Sequence, residues 1–423
     1  MQRVLGSFPA LAFSVAALFL LPAPRAAAQE QVRIGVIYPL TGAAASTGVE
    51  LRNAAELAAE IVNTSMKDLN LPLAASAGLP NLKGAKVTLV FADHQGNPQV
   101  GATEAERLIT QERVVALMGC YNSAVTATAS QVAERNRVPF LNADSTSSTL
   151  TERGFKWFFR TTPHDELFVK NFFEFFKDLQ KKKNIKVKKL ALFNENTLWG
   201  SETTKLEQKL AKEQGYAVAE TIVYPAKSTQ LTSEVQRIAA ANADVVMQSS
   251  YLGDAILAMK TYRDLGYTPP ALLANDAGFN DTEFLKSVGQ DGEYILSREV
   301  WALDLGAKKQ LIKKTNDLLR SRYKVNFTGN SARAFTGILT LADAINRAGS
   351  TKPEAIQKAL SETNISGQQL IMPWDGIKFD GKGQNTLGAG IIVQVQNGTY
   401  VTVWPFHLAS ADVVWPMPPW SKR

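Results

Sequence analysis

The feature that most constrains this chain is the stretch at residues 32–63, VRIGVIYPLTGAAASTGVELRNAAELAAEIVN. A continuous apolar run at 32–38 has the length of a strand buried on both faces, and the Pro-Leu-Thr-Gly turn after it ends that strand. From about residue 49, Ala54, Leu57, Ala58, Ile61 and Val62 recur at three- and four-residue spacing. That spacing gathers them on one helix face and leaves Glu50, Arg52, Glu56 and Glu60 in water. A buried strand, a loop and an amphipathic helix make half of a βαβ unit. In open sheets built from such units, ligands bind beyond the carboxyl ends of the strands, so the loop at 41–48, with Thr41, Ser46 and Thr47, sits at the functional edge.

The alternation continues with strands at 86–93, 114–118 and 138–142, helices at 99–111 and 124–136, and a Ser/Thr loop at 144–149. It pauses around 158–165. A long aromatic helix at 166–179 then opens a second series, with strands at 190–193, 217–224, 244–248 and 271–274 and helices near 201–214, 231–241 and 253–265. The pattern predicts an α/β protein of two doubly wound lobes, each with a mainly parallel sheet covered on both faces. After Gly292 come a strand at 293–300, helices at 308–323 and 332–348, and late strands at 374–379 and 390–403. These extra elements imply that the chain crosses between the lobes more than once. Residues 64–84 lack periodicity, carry Pro72, Gly78, Pro80 and Gly84, and read as a surface excursion.

The first 28 residues read as a secretory signal peptide. Arg3 gives a basic start, 4–21 is a short apolar run, and Ala26, Ala27 and Ala28 offer small residues for cleavage before Gln29. Pro9 and Pro22 interrupt the run and no basic flank follows, which argues against a membrane anchor. Cys120 is the single cysteine, so no internal disulfide forms and an ordinary core must hold the exported chain; Cys120 reads as a buried thiol. The formal charge of +7 falls to +5 once Arg3 and Arg25 are removed with the leader. That charge is dispersed. Its densest run, 181–189, precedes an apolar strand and reads as a solvated loop rather than a nucleic-acid surface.

The three histidines, His94, His164 and His407, are scattered, and no metalloprotease, Cys-Xaa-Xaa-Cys, nucleophile-elbow or phosphate-loop pattern occurs. No metal, cofactor or nucleic-acid chemistry is therefore predicted. His94 reads as a solvated loop histidine, and Ser123 has no base assigned to it, so it reads as a donor rather than a nucleophile.

VRIGVIYPLTG with its Gly-Xaa-Glu helix, the Gly119-Cys120-Tyr121-Asn122-Ser123 turn, Phe159-Arg160-Thr161-Thr162, the segment from Asn194 to Trp199-Gly200, and Ala274 to Gly278 occur in order along the mature chain. This set resembles the periplasmic substrate-binding proteins of branched-chain amino acid ABC transporters, over about 32–404. The resemblance implies a Venus flytrap, two lobes joined by a three-crossover hinge, with crossings near 159–165, 295–303 and 374–386. It implies lobes at 29–160 plus 300–372 and at 161–299 plus 373–423. It also implies a small amino acid-type ligand and a partner permease in the inner membrane.

Ser123 lies where a strand gives way to a helix, where free N–H groups and the helix dipole favour a carboxylate. Ser145 and Thr146 lie in the next strand-end loop and can add donors; local capping is the alternative for all three. The resemblance puts all three at the ligand's carboxylate. In the second series Trp199, Tyr251 and Asp276 each follow a strand. Aromatic faces and a carboxylate suit a ligand with an apolar or cationic part, core packing and turn formation being the alternatives. The resemblance puts the rings against the ligand and Asp276 at its α-ammonium, although Trp199 stands where Tyr is more usual and Asp276 where Glu is. Tyr121 and Asn122 are candidates for the side-chain end. A receptor of the same fold for an aromatic acid, amide or urea-like solute, or a sensory binding protein, is the competing reading.

Overall fold

The computed structural model describes residues 31–423, together with residues 1, 2, 5 and 6. Apart from those four positions, the expected leader and its cleavage site near Ala28 lie outside the described residues.

The first series is β1 (Gln31–Tyr38), α1 (Ala45–Asn63), β2 (Lys86–Asp93), α2 (Pro98–Thr110), β3 (Ala116–Gly119), α3 (Ser123–Asn136), β4 (Phe140–Asn142) and β5 (Phe158–Arg160). Its sheet runs β2-β1-β3-β4-β5 with every pair parallel. Because side chains alternate along β1, Ile34, Val36 and Tyr38 enter one core while Ile37 enters another with Leu108, Leu117 and Val125. β1 therefore needs apolar residues on both faces.

The second series is α4 (Asp165–Lys183), β6 (Lys189–Glu195), α5 (Leu198–Gln214), β7 (Ala217–Tyr224), α6 (Thr232–Ala240), β8 (Val245–Ser249), α7 (Leu252–Asp264), β9 (Leu272–Ala274), α8 (Thr282–Val288) and β10 (Leu296–Glu299). After it come α9 (Gln310–Tyr323), α10 (Gly329–Ala348), α11 (Pro353–Ser361), β11 (Asn364–Ser366), β12 (Gly376–Lys378), β13 (Ile391–Gln396) and β14 (Thr399–Trp404). The second sheet runs β14-β13-β10-β9-β8-β6-β7, parallel from β10 to β7, with β13 and β14 joined antiparallel at its edge. Helix α10 returns to the first lobe, where Ala334, Ile338 and Leu341 share a core with Leu51, Ala54 and Leu57 of α1. The chain thus passes between the lobes after β5, after β10 and after β12, and the molecule is a two-lobed α/β flytrap.

Helix α4 buries Phe168, Phe172, Phe173, Phe175 and Phe176. Aromatic residues cost up to about 0.7 kcal/mol each in helix propensity, whereas each buried phenylalanine contributes roughly 1.5–3 kcal/mol, so burial decides the outcome.

Several expectations need correction. Helix α1 starts at Ala45 rather than near 49, and Glu50, expected in water, is buried at 7% exposure beneath the other lobe. The segment at 64–84 is not a surface excursion, since Leu71, Ala74 and Leu79 are packed into the first core. Helix α4 continues to Lys183, so Lys181, Lys182 and Lys183 form its last turn, where their charge suits the carboxyl end of the dipole. His94 is fully buried, not solvated: its Nδ1 accepts from Gly96 N–H at 3.0 Å, and burial lowers its pKa to about 4. Elements α8, α11 and β11 are absent from the sequence reading; α8 and β11 are too short to show a period, whereas α11 buries Ile356, Ala359 and Leu360 at helical spacing.

Candidate functional site

In both sheets the order reverses beside the strand that starts the series, at β1/β3 and at β6/β8, and the loops beyond those carboxyl ends face each other across the cleft. Tyr121, Ser123, Ser145, Thr146, Trp199, Tyr251 and Asp276 line one small cavity there, together with Asp144, Ala277, Arg298 and Arg333. Seven of the eight expected residues thus come together from segments far apart in sequence. Asn122 does not line this cavity. It is the N-cap of α3 and borders a neighbouring cleft with Thr197 and Lys227.

On the first-lobe side, Ser123 is the first residue of α3, and Asn122 supplies no side-chain cap to the N–H groups behind it. The Ser123 hydroxyl accepts from Ser147 N–H at 3.4 Å, which leaves its own proton for another acceptor. Ser145 is differently placed. Its N–H donates to Asn142 Oδ1 at 3.0 Å and its hydroxyl to the Cys120 carbonyl at 2.8 Å, so both groups are engaged within the lobe. Asp144 is hydrogen-bonded by the Tyr38 hydroxyl at 3.2 Å, while its other oxygen, Oδ1, has no partner. Burial pushes Asp144 up to about 7, against the pull of Arg333 and Tyr38.

On the second-lobe side, the Trp199 and Tyr251 rings are tilted at 5.1 Å between centroids, and Tyr251 meets Tyr121 of the first lobe edge-on at 5.6 Å. An aromatic wall therefore spans the cleft. Asp276 and Ala277 hold the left-handed region at φ 60° and 52°, strain typical of sites whose surroundings fix the backbone. Gly278 permits the turn, because a Cβ there would collide with Tyr251 and Leu252 backbone at the start of α7.

The Asp276 carboxylate accepts three hydrogen bonds. Oδ2 accepts from Arg298 Nη1 at 2.6 Å and Arg333 Nη1 at 2.7 Å, and Oδ1 from Asn280 Nδ2 at 3.0 Å. Burial alone would raise its pKa, but the two guanidiniums hold it below the usual carboxylate range. Glu299 beside it is pushed up to about 8, first by burial and then by Asp276. Arg298, Arg333 and Asp144 are site residues that the sequence reading passed over. Their signal was present: Arg333 interrupts the apolar face of α10, and Arg298 stands inside a buried strand, where an unpaired charge is too costly to be incidental.

Beyond the cavity, direct contacts tie the lobes. Asp281 accepts from the hydroxyls of Ser46, at 3.0 Å, and Thr47. Glu50 accepts from the Thr282 hydroxyl and from Thr328 Oγ1 at 3.1 Å. Glu202 accepts from the Ser147 hydroxyl and from Thr149 Oγ1 at 2.7 Å. The lobes are closed on one another.

A family model described as periplasmic binding protein matches residues 31–399. The chain is 28% identical over 412 residues to Leu/Ile/Val-binding protein homolog 7 of Brucella suis biovar 1 (strain 1330), covering 95% of this chain and 98% of that protein. Among solved structures, the Streptococcus pneumoniae branched-chain amino acid transporter substrate-binding protein LivJ in complex with isoleucine superposes with a TM-score of 0.74 at 21% identity, covering 92% of this chain and all of that one. A solute-binding protein from R. palustris in complex with 4-hydroxybenzoate superposes with a TM-score of 0.73 at 19% identity, covering 93% and 99%. The chain belongs to the periplasmic binding protein family, with Leu/Ile/Val-binding protein homologues as its relatives.

Proposed function

We propose that the chain is an extracytoplasmic solute-binding protein that captures a small carboxylate between its lobes and presents the closed form to an ABC permease in the inner membrane. The observation that carries this reading is a single cavity lined from both lobes, with Ser123 and Thr146 on one side and Trp199, Tyr251 and Asp276 on the other. A ligand held there stabilises closure by its differential affinity for the closed state, and the closed shape is what a permease can recognise. The moving units are the lobe of β1–β5 with α9–β12 and the lobe of α4–β10 with β13 and β14.

The reading is of binding without catalysis, in the periplasm after removal of a leader near Ala28. It is supported by the family and by the relatives, which are Leu/Ile/Val-binding protein homologues. Among the described residues no helix is long and apolar enough to cross a membrane. The relatives' names favour a branched-chain amino acid, whereas the solved neighbours hold isoleucine in one case and 4-hydroxybenzoate in another, so the ligand's chemistry rests on this cavity's own groups.

Thermal shift against amino acids, organic acids and amides, followed by small-angle scattering with each stabilising compound, tests the reading. A carboxylate should raise the melting temperature and hold the compact, closed form, and Trp199→Ala should reduce the shift. The reading fails if no small carboxylate stabilises the protein.

A further inference from the structure

An amino acid presents three N–H donors and a positive charge beside its carboxylate. The corresponding part of this cavity has few acceptors left to receive them. Asp276 already accepts from Arg298, Arg333 and Asn280, so a ligand ammonium would have to share it with two guanidiniums that are 2% exposed or less. Displacing either guanidinium from it would leave an uncompensated buried charge. A ligand that leaves both in place avoids that.

Three lining groups have no hydrogen-bond partner: Trp199 Nε1, Arg333 Nε and Asp144 Oδ1. Arg333 Nε and Asp144 Oδ1 form an ion pair at 3.6 Å, too long for a hydrogen bond, so each still lacks a hydrogen-bond partner. Buried polar groups are almost always satisfied, so this open donor–acceptor pair marks where a ligand atom belongs. One oxygen between them can accept from Arg333, and if it is a hydroxyl it also donates to Asp144. Asp144 is followed in the chain by Ser145 and Thr146, and Ser123 lines the same small cavity, so the bridging oxygen falls next to the place where Ser123 and the start of α3 offer donors to a carboxylate. The charges agree. Two lining guanidiniums face one firmly ionised carboxylate, Asp276, and a second, Asp144, that burial pushes toward neutrality.

We infer that the ligand is an amine-free carboxylate carrying an oxygen on the adjacent carbon, a 2-hydroxy or 2-oxo acid, with that oxygen held between Arg333 Nε and Asp144 Oδ1. The inference rests on the solute-binding reading and assigns Arg333 and Asp144 as the specificity-determining residues. The Arg333 Nε–H disfavours an ammonium in that position by meeting donor with donor.

The test is calorimetric titration of the full chain, freed of carried-over ligand by denaturation and refolding, with matched sets: lactate, pyruvate and alanine; 2-hydroxy-4-methylpentanoate, 4-methyl-2-oxopentanoate, 4-methylpentanoate and leucine; phenyllactate, phenylpyruvate and phenylalanine. In at least one set the oxygen-bearing acid should bind tenfold or more tighter than its amino counterpart, and 4-methylpentanoate should bind more weakly than its oxygenated partners. Arg333→Gln should remove at least tenfold of that preference; should it fail to fold, the matched sets on the unaltered chain decide alone. Tighter binding of the amino acid in every responding set overturns the inference and leaves the solute-binding reading standing. Silence of every compound overturns both.

Discussion

Arg333 Nη1 on α10 of the first lobe lies 2.7 Å from Asp276 Oδ2 of the second, so the lobes are joined by an ion pair inside the cavity that a ligand would fill. Both side chains are almost wholly buried, and Arg298 completes the cluster from β10 at 2.6 Å. Closure and recognition therefore share the same groups.

Asp276→Asn leaves two buried guanidiniums facing a neutral amide. Removing one partner from a buried ion pair costs about 3–5 kcal/mol, because the stranded charge keeps its desolvation penalty. Urea denaturation should show a loss of that order with an unchanged m-value. A loss below about 1 kcal/mol would mean that solvent reaches the cluster and that the pair is weak, as surface pairs are.

Glu50 should make ligand affinity depend on pH. In the closed form burial, and after it Asp281, push its carboxyl up to about 7 from 4.5, while Thr282 and Thr328 hold it down. A carboxyl whose pKa is raised on closure favours the closed state when protonated, so its support is complete below about 4.5 and is lost as pH rises through 7. The shift corresponds to roughly 3 kcal/mol between the limits. Asp144, about 7, titrates in the same window, so the diagnostic is a difference. Affinity should fall from pH 5 to pH 7.5 in the parent, and Glu50→Gln should flatten part of that fall. Parallel profiles for parent and variant would remove Glu50 from closure.

Trp199 supplies a buried aromatic face beside Tyr251. Trp199→Ala should weaken ligand binding by about 2 kcal/mol, near thirtyfold, whereas Trp199→Phe keeps a ring and should lose less than tenfold. Titration of each variant with the ligand of the parent decides this, and equal losses for the two would mean that the indole N–H, not the ring face, is what matters.

Cys120 should be chemically silent in the native protein. It is fully buried, and desolvation pushes its thiol far above the ordinary range, so little thiolate is available to a reagent. A thiol reagent should label it stoichiometrically in denaturant and by only a few per cent without. Rapid native labelling would show that the β3–α3 turn opens.

The sequence was legible where local periodicity governs. The run at 32–38, the apolar stripe on α1 and the aromatic stripe on α4 are set by side-chain spacing, and each became the element that its period predicts. The loops at the ends of the parallel strands were legible, but there local capping and core packing competed, and it was the family resemblance that singled out Ser123, Thr146, Trp199, Tyr251 and Asp276, which line one cavity. Small elements such as α8 and β11 carried no readable period, and their place follows from packing.

What one-dimensional order could not supply was the partner of each charge. Glu50 follows the polar pattern of its helix and is nonetheless buried, because the other lobe closes over it at Asp281 and Thr282. Asp276 occupies a strand-end loop like its neighbours, yet its chemistry is set by Arg298 from β10 and Arg333 from α10, 22 and 57 residues away in sequence. Local spacing determined the helices, the strands and the edge at which a ligand could sit. The tertiary structure alone decided which charges meet there, because Coulomb and hydrogen-bond energies depend on separation in space and on exclusion of water, and both arise only when distant segments close on each other.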